Sequence, residues 1–75
     1  MTESIGLHVK LEGSEIIVTM PGTVFMAAYR KREGGPELVA TFVQSDELAS
    51  TSRTEFLARS WRLANDKARE LGWIV

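Results

Sequence analysis

The residues that could do chemistry in this chain are few. There is one histidine, His8, and no cysteine, so a disulfide framework and any thiolate metal site are excluded, and a zinc site made of imidazoles alone is excluded with them. His8 stands in a run where Ile5, Leu7, Val9 and Leu11 alternate with Gly6, His8 and Lys10. It therefore falls on the polar side of a strand, where a histidine is ordinarily a solvated side chain. Glu12 and Glu15 are close enough in sequence to suggest paired-acid chemistry, but they flank a Gly13-Ser14 turn, where charge serves solubility. Gly34-Gly35 lies between two predicted strands rather than between a strand and a helix, so it cannot cradle a phosphate as a glycine-rich loop does. No nucleophile is paired with a base. An enzyme is not expected, and neither is a cofactor or a metal.

Two basic groupings remain. Arg30, Lys31 and Arg32 follow Tyr29 beside the Gly34-Gly35 tip, and a two-stranded ribbon carrying basic residues next to an aromatic can enter a major groove. This makes a nucleic-acid-binding domain the alternative reading, with Tyr29, Arg30, Lys31 and Arg32 as its contact residues. Glu33 and Glu37 in the same hairpin would repel phosphates. The nine Lys and Arg against ten Asp and Glu leave a formal charge of −1, which gives no overall attraction to polyanions. Arg59, Arg62 and Arg69 are interleaved with Glu55, Asp66 and Glu70 at spacings of three and four, the pattern of ion-paired solvated helix faces. Of the two tryptophans, Trp61 is assigned to the core and Trp73 to a packed tail.

The elements that must position these residues follow from periodicity and turn chemistry. The 75 residues suffice for a single domain, 1–75, built round one core. Alternation over 5–11, the Glu12-Gly13-Ser14-Glu15 turn and the apolar 16–20 predict a hairpin that sets Leu11 opposite Ile16, Val9 opposite Val18 and Leu7 opposite Met20. Met20-Pro21-Gly22-Thr23 is a turn with Pro presetting φ and Gly taking a positive one. A third strand is expected over 23–32, a turn at Glu33-Gly34-Gly35-Pro36, and a fourth strand over 37–43. With the tip at Gly34-Gly35, Tyr29 should face Ala40 and Ala27 should face Phe42, so that Phe25, Ala27, Tyr29, Leu38, Ala40 and Phe42 share a face.

Ser45 to Thr51 reads as a short connection with one helical turn about Asp46 to Ala49. Ser52 with Glu55 matches a capping box, Gly72 suits a left-handed helix end, and Leu57, Trp61, Ala64, Ala68 and Leu71 form the apolar stripe between them. The expected fold class is α+β: an antiparallel four-stranded sheet followed by one C-terminal amphipathic helix packed on one face. One helix covers one face. Ile17, Val24, Met26, Ala28, Val39 and Val43 are then left on the other, and an apolar face of that kind marks an association surface. The leading reading is a small interaction or regulatory module that pairs with a second copy or a small protein partner, most simply as a two-fold homodimer. No apolar run reaches the ~20 residues that a membrane span requires, and the opening Met-Thr-Glu-Ser lacks a basic and apolar leader. A cytoplasmic location is expected.

Overall fold

The computed structural model describes residues 6–74; the expected strand residue Ile5 lies outside them. Four strands and one helix follow in the order β1 (His8–Glu12), β2 (Glu15–Thr19), β3 (Met26–Lys31), β4 (Leu38–Gln44) and α1 (Arg53–Glu70). The strands form one antiparallel sheet in the order β1-β2-β3-β4. Each junction is made by backbone chemistry written into the turn residues. Gly13 takes φ +63° at the first position of the two-residue β1–β2 loop, and the pairing beyond it is the expected one, Leu11 with Ile16 and Val9 with Val18. Pro21-Gly22 turns with Gly22 at φ +83°, closed by the Thr23 amide donating to the Met20 carbonyl at 3.2 Å, the geometry of a type II turn. In the second hairpin the Gly35 amide donates to the Arg32 carbonyl at 3.1 Å and the Arg32 amide to the Glu37 carbonyl at 2.8 Å. Between Asp46 and Ala49 there is a turn, with the Ala49 amide on the Asp46 carbonyl at 3.3 Å, where one turn of helix was expected.

The helix ends are capped as their sequence predicts. The Ser52 hydroxyl accepts from the Glu55 amide at 3.1 Å, while the Glu55 carboxylate turns to Arg59 instead of completing the box. At the other end Trp73 donates to the Ala68 carbonyl at 2.8 Å and Gly72 to that of Arg69 at 3.0 Å, with Gly72 at φ +80°. That double bond pattern is a Schellman motif, and it brings Trp73 and Ile74 against the core.

The helix packs chiefly on β2, with lighter contact to β1 and β3. Its buried residues are Phe56, Ser60, Ala64 and Ala68, so the expected stripe is displaced. Ala64 and Ala68 are shared, Leu57 and Leu71 pack at the margin, and Trp61, assigned to the core from sequence, is 45% exposed. The displacement has two causes. Phe56 stacks on Phe25 with ring centroids 4.6 Å apart, which draws the first turn of the helix onto the start of β3. Ser60 then meets Tyr29, 2% exposed, hydroxyl to hydroxyl at 2.7 Å, and the Ser60 hydroxyl also lies 3.2 Å from the Leu57 carbonyl. A buried polar group is tolerated only when so partnered. Trp61, one position on, is left at the rim, tilted across Tyr29 at 5.6 Å.

Replacing Phe56 with Ala should cost ~3–5 kcal/mol, because it deletes a fully enclosed ring; Trp61→Ala should cost ~1–2 kcal/mol, the scale of a half-exposed aromatic pair. Urea unfolding of both variants reads the order, and equal losses would contradict the assignment. Burial raises the pKa of the Tyr29 phenol, against a smaller opposing effect of its bond to Ser60. An unfolded tyrosine titrates near 10. Below about pH 10 the phenol is neutral in both states; above it the unfolded chain releases the proton more readily, so stability falls as pH rises toward the folded value. A Tyr29→Phe variant should lose that part of the alkaline decline, measured by unfolding between about pH 9 and 11.

Candidate interaction surface

Alternation along each strand assigns the two faces of the sheet. Val9, Ile16, Val18, Ala27 and Tyr29 lie toward the helix, so their neighbours Lys10, Ile17, Ala28 and Arg30 lie on the side that no other element covers. On β4 the alternation is broken once. Tyr29 pairs with Ala40 as expected, but Ala28 pairs with Phe42 and Ala27 with Val43. The extra residue, Thr41, forms a β-bulge. Its hydroxyl donates to the Glu15 carboxylate at 2.9 Å and lies 3.3 Å from the Ala28 carbonyl, so the bulge is held from β2 as well as from β3.

The bulge exchanges two expected positions. Val43, read from sequence as an interface residue, shares the helix side with Ala27 and is half-buried. Phe42, expected on the face shared with Phe25, Ala27 and Tyr29, shares the open side with Ala28 and is 49% exposed. The remaining residues of the expected surface fall as follows. Ile17 and Ala28 are buried at the centre of the open face by their neighbours, and Met26 is half-buried beside them. Val39 is 37% exposed. Val24 stands before β3, 56% exposed, its amide bonded to the Asp46 carboxylate at 2.9 Å and its carbonyl to the Gln44 side chain at 2.6 Å. The apolar area is therefore concentrated on β3 and β4, while β1 brings His8, Lys10 and Glu12 to the same face.

The basic hairpin does not form one surface. Arg30 pairs with Val39 on the open side, and Lys31, the next residue, pairs with Leu38 toward the helix. Arg32 is neutralised by Glu37 at 2.8 Å. Tyr29 is enclosed in the core and offers no ring face for a base. On the helix, Glu55 pairs with Arg59 and Asp66 with Arg69, both at 3.1 Å, as the spacing predicts. The two hairpin acids are also engaged, Glu12 with Lys10 at 3.7 Å and Glu15 with Thr41.

Among the described residues no group of three or more His, Cys, Asp or Glu side chains could hold a metal ion, and no helix is long and apolar enough to cross a membrane. No family model matches the sequence, and neither a curated protein nor a solved structure matches the chain.

Two exposed aromatic positions escaped the sequence. Phe42 was hidden by a bulge that Thr41 does not announce, and Trp61 by the displaced helix stripe. A charge placed at each of the exchanged β4 positions separates them. Val43→Lys should lower stability by more than 1 kcal/mol, because the ammonium is driven toward the core, whereas Phe42→Lys should stay within about 0.5 kcal/mol in dilute solution. Thermal melts at low micromolar concentration would show the reverse order if β4 ran without a bulge.

Proposed function

We propose that this chain is a small interaction module that self-associates through the open face of its sheet. One observation carries the reading: the helix covers one side of the sheet only, and the other side keeps an apolar strip of Ile17, Met26, Ala28, Val39 and Phe42 running toward β4. Exposed apolar patches beyond a few hundred Å² usually mark association sites. Burying a few hundred Å² at ~25 cal/mol per Å² gains several kcal/mol per copy before the cost of association. That gain is large for a domain of this size, whose core alone supplies only ~3–5 kcal/mol.

A two-fold contact is self-complementary, a residue of one copy meeting a different residue of the other and the reverse; Ile17, Met26, Ala28, Val39 and Phe42 bring no charge into it, and Arg30, beside Val39 on the same side, is the charge such a contact must leave at its margin. The polar half of the face, with Lys10 and Glu12, would form the rim.

Mass action makes the test direct. A partner that binds only the folded form raises stability with its concentration, so the melting temperature should climb between low and high micromolar protein. Met26→Lys should abolish that climb and leave a monomer, since an ammonium buried without a partner is costly. Sedimentation of the unaltered protein as an 8.4 kDa species at high micromolar concentration, with a concentration-independent melt, would refute self-association.

A further inference from the structure

We draw no further inference here: the strongest candidate, the groove between the start of β1 and the flank of α1 lined by Leu7, Ala58, Arg59, Arg62 and Leu63, carries none because nothing in the structure shows what covers it.

Discussion

A four-stranded sheet has two faces, and this chain brings one long helix to cover them. At 18 residues the helix is about 27 Å long and ~10 Å wide, enough for one side of the sheet and not for its full breadth. Where the helix sits thus decides which surfaces stay open. Its seat is fixed by two contacts of different chemistry, the Phe25–Phe56 stack and the Tyr29–Ser60 hydrogen bond. The stack supplies apolar contact but tolerates sliding. The hydrogen bond does not, because an unpaired hydroxyl in this environment would cost ~1–3 kcal/mol. Together they hold α1 over β1 to β3 and leave β4 as an overhang.

The overhang would be a liability if it were flat and regular. The bulge at Thr41 changes that by turning Phe42 outward and Val43 inward within three residues. Val43, the smaller side chain, then sits beside Ala27 on the helix side, half-buried. The phenylalanine goes instead to the face where Ile17 and Ala28 already form an apolar centre. One inserted residue thus serves both sides of the sheet. The Thr41–Glu15 bond ties the insertion to β2, across the intervening strand, so that its position is set by two neighbours.

What could be read from the sequence was whatever local backbone chemistry decides. Gly13, Gly22, Gly34 and Gly72 each meet a positive φ that few other residues accept, and Ser52 caps the helix it precedes. From these turns the strand order, the first register and the helix ends all follow. What could not be read depends on partners far along the chain. Ser60 looks like an interruption of an apolar stripe until Tyr29, 31 positions away, is placed opposite it. Trp61 looks like core because of its size, and only the seating of its neighbours moves it to the rim. The bulge, likewise, is set by Glu15 and Ala28, neither of which is near Thr41 in sequence. The expected surface included Val43 and omitted Phe42 because of the bulge; Ile17, Met26, Ala28 and Val39 keep the side that simple alternation assigns, while Val24 lies ahead of β3, outside the ladder.

The same distinction bears on how the two open surfaces relate. An apolar face attracts through area, which is non-directional and admits many partners and registers. A strand edge attracts through a row of donors and acceptors whose spacing admits few. In this chain the two adjoin along β4: Val39 and Phe42 belong to the face, while the backbone groups of Leu38, Ala40 and Val43 belong to the edge. Apolar side chains flanking a ladder shield its hydrogen bonds from water and so strengthen them, and a ladder fixes the orientation in which such side chains meet. Neither feature would be selective by itself, since the face lacks direction and the edge lacks area. Their coincidence on the one strand that the helix leaves largely uncovered sets the β4 side apart from the charged β1 side.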